Sequence, residues 1–324
     1  MSRIACLLAD PALAAAADVQ ALLDDDRVLL VEPAGATGLE ATLSDAFGWA
    51  GALSRALADP DVAGAVAVLG SDVLAEVAYL LDLAVAGPAP LVATGAMRAA
   101  AHRAPDGPGN VGASLHLARH PALAGACAMV VIAGRVHAAR DVTRVCAASV
   151  AAFESPSLGP LGLVGTDGPV TLTRRPPRRE HLPATRIEPA VALVAAALGS
   201  GPEAIEHALA DGARGVVVET YAAGAVPPAV GAGLARAVDA GVAVVAASRA
   251  RGLPAEDPTP GGHAWLRERG VLSSPGLAPE KARVRLALAL GLDAADGVRA
   301  AFAPPTPAPA RASPRPAPRP RSTP

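Results

Sequence analysis

The sequence predicts an α/β protein of two domains built on parallel sheets, and three observations carry that expectation. Short apolar runs alternate with helix-period segments, as βαβ units require. The pattern occurs twice, once on each side of a proline- and arginine-rich break at Arg174–Glu188. Length and composition allow two cores: 324 residues, 52% hydrophobic and only 18% charged.

Ile4–Ala9 reads as the first strand. Ala12–Asp24 reads as a helix, with Leu13, Ala16, Val19 and Leu23 on one face. Arg27–Val31 is a second strand, Gly48–Leu57 a helix, and Asp59-Pro60-Asp61 a turn into the strand Val62–Leu69. That strand stops at Gly70, Ser71 and Asp72. A helix over Val73–Val85 follows, with Leu74, Val77, Ala78 and Leu81 at helical spacing. Such a strand-to-helix turn puts Ser71 and Asp72 at the carboxyl edge of a sheet, where open α/β folds bind ligands. By residue type, either is equally suited to capping the helix. Leu91–Thr94 and Met129–Ala133 are further buried strands, ending at Gly95 and Gly134. Beyond the break come an apolar run at Val191–Leu198, a helix at Glu203–Asp211 and a strand at Gly215–Glu219. A helix at Pro228–Ala240, a strand at Val242–Ser248 and an amphipathic helix at Pro279–Leu290 complete the second half. The expected division is an N-terminal domain at 1–175, a linker at 176–188, a C-terminal domain at 189–302 and a disordered Pro/Ala/Arg tail at 303–324.

A net charge of −2 and 2% aromatics predict neither nucleic acid nor an anionic membrane as partner. No run is long enough to span a bilayer, and Asp10 and Pro11 break the apolar stretch that a signal peptide would need, so a cytoplasmic protein is expected. Cys6, Cys127 and Cys146 have no metal spacing and are expected as reduced thiols in or near the core. The seven histidines form no ligand pattern, so neither a metal nor a cofactor is expected.

Several segments together resemble the bacterial-type L-asparaginase/glutaminase family. Gly134-Arg-Val-His-Ala-Ala-Arg-Asp-Val-Thr-Arg144 is similar to the family's Asp-Arg-Ile-His-Ala-Ala-Arg-Asp-Val-Thr-Lys. Thr94-Gly-Ala-Met-Arg98, Asp106-Gly-Pro-Gly-Asn110, Ser155-Pro-Ser-Leu-Gly-Pro-Leu-Gly162 and Pro279-Glu-Lys-Ala-Arg283 join it in order. Leu69-Gly-Ser-Asp-Val73 falls where the family has His-Gly-Thr-Asp-Thr. The resemblance implies an asparaginase-like fold, with a larger N-terminal parallel-sheet α/β domain and a smaller C-terminal one. It also implies a homodimer or homotetramer with sites between subunits, and hydrolysis of L-asparagine or a related small amide.

The family's first nucleophilic threonine lies in a Thr-Gly-Gly-Thr segment after the first strand, where this chain has Asp10, Pro11, Ala12 and Leu13. No threonine precedes Thr37 and no tyrosine precedes Tyr79, so that nucleophile and its loop tyrosine are absent. At the second site the resemblance assigns catalytic places to Ser71, Asp72 and Arg144, the last standing where the family has a lysine. A guanidinium does not give up its proton as a lysine can, so Arg144 suits ion pairing with Asp72 or a substrate carboxylate. By the same resemblance Thr42 or Ser44 falls near the substrate-clamping serine, and Gly70, Thr94 and Gly95 line the substrate. Three functions fit these residues: a weakened asparaginase-type amidohydrolase using Ser71, a non-catalytic member binding a small amino acid or a partner, and an enzyme acting on another amide.

Overall fold

In the computed structural model, residues 2–165, 170–251 and 262–303 are described. The predicted tail, from residue 304 onward, lies outside them. The chain opens with β1 (Arg3–Ala9), α1 (Pro11–Ala14), α2 (Ala17–Leu23), β2 (Val28–Val31), α3 (Leu43–Leu57), β3 (Val62–Leu69) and α4 (Leu74–Ala84). It continues through β4 (Leu91–Thr94), α5 (Gly107–Ala118), β5 (Met129–Ile132), β6 (Arg135–Ala138), β7 (Thr143–Arg144), β8 (Phe153–Glu154), β9 (Gly162–Val164) and β10 (Val170–Leu172). The second half comprises β11 (Val191–Ala195), α6 (Glu203–Ala210), β12 (Gly215–Thr220), α7 (Pro228–Asp239), β13 (Ala243–Ser248), α8 (His263–Arg267), β14 (Leu272–Ser273), α9 (Pro279–Ala289) and α10 (Gly297–Ala301).

Eight strands form the larger sheet in the order β10-β9-β6-β5-β4-β3-β1-β2, and four form the smaller one, β11-β12-β13-β14. The strands β2, β1, β3, β4 and β5 run parallel. Along β3, Ala65, Ala67 and Leu69 face one core while Val66 and Val68 face the other, which is why the strand reads as an unbroken apolar run. The three further strands β6, β9 and β10 are antiparallel, so the large sheet is mixed and not purely parallel. Ala133 and Gly134, both at positive φ (49° and 72°), make the tight turn that reverses the chain between β5 and β6.

Tertiary packing adjusts several expected elements. The helix expected over Ala12–Asp24 is broken at Ala16, which is extended (ψ 129°), so that Leu13 and Val19 can both reach the sheet. The helix α3 begins five residues before Gly48, because Thr42 and Asp45 form a reciprocal capping box. The glycine-rich α5, unassigned from the sequence, covers one face of the large sheet. The helix α9 is not amphipathic but buried nearly all round, Lys281 and Arg285 included.

That burial follows from where α9 lies, between the two sheets. Its residues Ala282, Val284, Leu286 and Leu288 share a single core with Leu74, Val77 and Leu81 of α4 and with Val217 and Val245 of the small sheet. Lys281 Nζ donates to the carbonyls of Ala139 (2.6 Å), Arg140 (3.1 Å) and Val142. Arg285 donates to both Glu180 carboxylate oxygens, to Tyr79 Oη (3.0 Å) and to the Ala301 carbonyl (2.7 Å). The arginine-rich segment before the second half is tied down as well. Arg179 donates to the Gly87 and Ala89 carbonyls, and Leu182 joins the shared core.

Candidate active site

The order β4-β3-β1-β2 reverses direction at β1, so the chain's topological switch point lies between β1 and β3. A crevice opens at the carboxyl ends of strands that diverge in this way. Ala9 and Leu69 are register partners, so Asp10 and Gly70 leave the sheet side by side. Thr94 is paired with Val68 on the next strand, which places Gly95 at the same edge.

After Leu69 the chain turns through Gly70, Ser71 and Asp72 into α4. Neither Ser71 nor Asp72 caps the helix: the N-cap is Val73, which receives no side-chain bond and is held by Val73 N–H donating to the Gly70 carbonyl (3.2 Å). The cap suggested by residue type is therefore corrected, and both polar side chains are left for other contacts. Ser71 is half-buried, and its hydroxyl has no hydrogen-bond partner among the described residues. The Asp72 carboxylate accepts from Arg144 Nη1 at 2.5 Å.

Arg144 is positioned by the small β7–β8 ladder, where it pairs with the buried Phe153. Its other nitrogens donate to the carbonyls of Ala147 (3.0 Å) and Cys146 (3.3 Å). The pairing with Asp72 is through one nitrogen only, and the remaining donors hold the 146–147 loop. A guanidinium so placed anchors a carboxylate and a loop; it does not accept a proton.

At the β4 end, Thr94 is fully buried and its hydroxyl donates to the Val131 carbonyl (2.7 Å), away from the crevice. A Cβ on Gly95 would stand 2.4 Å from the Leu69 carbonyl oxygen, so only glycine permits β3 and β4 to end this close. The Gly95 carbonyl accepts from Asn110 Nδ2 (2.9 Å), and Asp106 accepts from the Met97 and Arg98 amides. Thr94 and Gly95 thus shape the edge without presenting a free polar group to it. Thr42 is engaged in the α3 cap, where its amide and hydroxyl meet Asp45 Oδ2 at 2.9 and 2.6 Å. Those bonds hold the Asp45 carboxyl below its ordinary pKa. Ser44 is exposed in the first turn of α3. Of the sequence candidates, the structure joins Asp72 to Arg144 directly, with Ser71 and Gly70 in the same turn, and sets Thr42 and Ser44 on a separate helix.

After β1 the chain turns back into the core. Asp10 caps α1, accepting from the Leu13 amide at 3.0 Å. Leu13 is buried in the core beneath α5, close enough that a Cβ on Gly107 would meet its Cδ1 at 2.3 Å. Other potential proton acceptors are committed elsewhere. The Lys281 ammonium serves three carbonyls, its pKa lowered by burial to about 7. The Tyr79 hydroxyl is buried against Arg285, with burial raising its pKa. His137 is buried with Nδ1 2.9 Å from Ser155 Oγ, and burial lowers its pKa to about 4. Among the cysteines, burial pushes Cys6 up to about 12 and raises Cys127 too. Cys146, expected in or near the core, is instead exposed, because it sits in the loop that Arg144 holds by its carbonyls. Among the described residues no group of three or more His, Cys, Asp or Glu is placed to hold a metal ion, and no helix is long and apolar enough to cross a membrane.

Two unequal α/β layers sharing a core, with a hydroxyl-bearing turn at the switch point, define a two-domain α/β protein with a strand-edge site. Comparison with known proteins narrows the class. The model of the asparaginase N-terminal domain matches residues 12–178, and that of the glutaminase/asparaginase C-terminal domain matches residues 190–302. An L-asparaginase of Bacillus licheniformis is 31% identical over 240 residues, 74% of each chain. L-asparaginase 2 of Escherichia coli is 32% identical over 234 residues, 70% of this chain and 66% of that protein. The crystal structure of a probable cytoplasmic L-asparaginase from Campylobacter jejuni superposes with a TM-score of 0.80 at 25% identity, covering 93% of this chain and 99% of that one. The chain belongs to the asparaginase family.

Asp45 and Asp106, the latter part of the Asp106-Gly-Pro-Gly-Asn110 segment, are positioning residues to which the sequence-based expectations assign no role. The Thr42-Leu-Ser-Asp45 spacing before an apolar run is a capping signal visible in the sequence. The return of Asp106 to the Met97 and Arg98 amides is not, since it depends on a loop closing on itself.

Proposed function

We propose that this chain is an amidohydrolase acting on L-asparagine or a related small amide, with Ser71 as its only hydroxyl nucleophile and with slow turnover. The observation that carries the reading is the half-buried Ser71 hydroxyl, without a hydrogen-bond partner among the described residues, beside Asp72 at the β1/β3 switch point. In the proposed reaction Ser71 Oγ adds to the amide carbon, ammonia leaves, and water cleaves the resulting ester to the acid. Backbone amides near Gly70 are the candidate donors for the oxyanion. The weak component is the base. Asp72 is already paired with Arg144, and neither a lysine nor a tyrosine stands free at the turn.

A second reading, a non-catalytic protein that binds a small amino acid or a partner, is supported by one observation: the segment after β1 buries Leu13 in the core and presents no hydroxyl. An ammonia-release assay on L-asparagine separates the two. Slow release abolished by Ser71→Ala supports hydrolysis at this turn. Release at ordinary family rates, or release untouched by Ser71→Ala, overturns it, and none at all leaves the binding reading.

The same proposal keeps the division at 1–175, 176–188 and 189–302, with a homodimer or homotetramer as the working assembly. It also places the protein in the cytoplasm. The Campylobacter relative is described as cytoplasmic, whereas a relative from Haemophilus influenzae is described as periplasmic. Sedimentation showing a stable monomer at micromolar concentration would count against the assembly.

A further inference from the structure

Between the first turns of α3 and α4 and the side of α9 lies a cavity of about 410 Å³. Small-molecule sites range over about 300–1,000 Å³. Much of the wall is apolar, with Ala46, Val77, Leu80 and Val284 among its residues. Two side chains of opposite charge also line it, Glu76 from α4 and Arg283 from α9. They do not bond to each other. Glu76 has no hydrogen bond or ion pair among the described residues. The guanidinium of Arg283 spends only Nε, on the Val191 carbonyl at 2.8 Å.

A carboxylate and a guanidinium in one part-buried space attract strongly and ordinarily close into a bidentate pair. Here they are carried by helices from different halves of the chain, whose positions are fixed by the Lys281 and Arg285 contacts. The two charges thus line one space from different helices without forming an ion pair. Burial and then the neighbouring Glu280 raise the Glu76 pKa, opposed by Arg283 and Lys281.

We propose that this cavity binds a free α-amino acid as its zwitterion. The ligand's carboxylate meets Arg283, its ammonium meets Glu76, and its side chain lies against Val77, Leu80 and Val284. Neither an amine nor a carboxylic acid alone satisfies both walls. The cavity adjoins the Ser71 turn without including it: Val73 and Thr42, the latter a candidate clamp residue, line it, whereas Ser71 and Asp72 do not. A ligand held here bridges α4 and α9 and fixes the helical turn that follows Asp72, which gives the amino acid a route to the candidate active site.

The test is calorimetric titration of the full-length Ser71→Ala protein, so that the outcome does not depend on the hydrolytic reading. The probes are L-alanine, L-valine and L-aspartate, with isobutyrate and isobutylamine as half-ligands. The expected result is one saturable site per chain for at least one amino acid, with both half-ligands at least about tenfold weaker. Glu76→Gln and Arg283→Met should each weaken that binding by a similar factor, with partial recovery in Arg283→Lys. Val77→Phe, which fills the space without touching either charge, should abolish binding while the circular dichroism spectrum is retained. Absence of binding at millimolar ligand overturns the proposal. So does equal binding of the half-ligands, or binding indifferent to Glu76→Gln, Arg283→Met and Val77→Phe alike.

Discussion

The ends of β1 and β3 leave the sheet side by side, yet the chain after one turns an apolar side chain into the core and the chain after the other keeps polar side chains out of it. After Ala9 the chain enters a one-turn helix whose Leu13 is buried against α5. After Leu69 it enters a turn whose Ser71 hydroxyl has no hydrogen-bond partner among the described residues and whose Asp72 is exposed to Arg144. The two ends are register partners and share an edge, though β1 lies between β2 and β3 whereas β3 lies between β1 and β4. Residue type contributes to the contrast: an apolar side chain at a strand edge gains by entering the nearest core, whereas a hydroxyl and a carboxylate have nothing to gain there.

The largest effect that could break this comparison is on activity. Wild-type protein should release ammonia from L-asparagine orders of magnitude more slowly than intact relatives. Rebuilding Asp10-Pro-Ala-Leu13 as Thr-Gly-Gly-Thr together with Arg144→Lys should raise the rate more than the two changes made separately. Groups that act as a unit behave in this way. If Arg144→Lys alone restored full turnover, the β1 end would not be the missing half.

Stability supplies the next test. Leu13→Ala should cost about 2–5 kcal/mol in denaturant unfolding, as expected for a buried leucine. Ser71→Ala should fall within about 0.5 kcal/mol of wild type. Equal costs at the two positions would erase the distinction between core and site.

A pH titration probes the buried polar groups nearby. The His137 pKa is about 4 in the fold against an ordinary 6.5, so between those values the unfolded chain takes up a proton that the folded chain refuses. Its contribution to stability is therefore present above pH 6.5 and lost as pH falls towards 4. Burial raises Asp82 from 3.8 to about 7, so its contribution runs the other way over much of the same window. Replacing His137 by Gln should remove the acid-side loss and let the opposing slope of Asp82 show in unfolding curves between pH 4 and 6.5. The smallest effect is expected at the exposed pair: Asp72→Asn should change stability by no more than about 1 kcal/mol, measured by thermal unfolding.

How much of this was legible in the sequence differs by element. Strand β4 was read at its exact bounds and α4 within a residue at each end, because a short apolar run closed by glycine and a sustained 3.6-residue period are local signals. The antiparallel extension β6, β9 and β10 was not read, since two of its strands are three residues long and are defined only by the neighbours they pair with. The helix α9 was assigned the right span but the wrong character. Its charged residues Lys281 and Arg285 imply an exposed face in isolation, and only the meeting of two domains supplies the carbonyls and the Glu180 carboxylate that make their burial tolerable.

The sequence by itself determined the family, the alternation of strands and helices, and the loss of the threonine and tyrosine at the first strand end, because residue type and order are all that those require. Only the tertiary structure decided that Leu13 is buried against α5, that Arg144 spends its donors on Asp72 and a loop, and that Glu76 and Arg283 face one cavity without pairing. Each of these depends on groups brought together by strand register and helix packing from distant parts of the chain, and one-dimensional spacing holds no record of such distances.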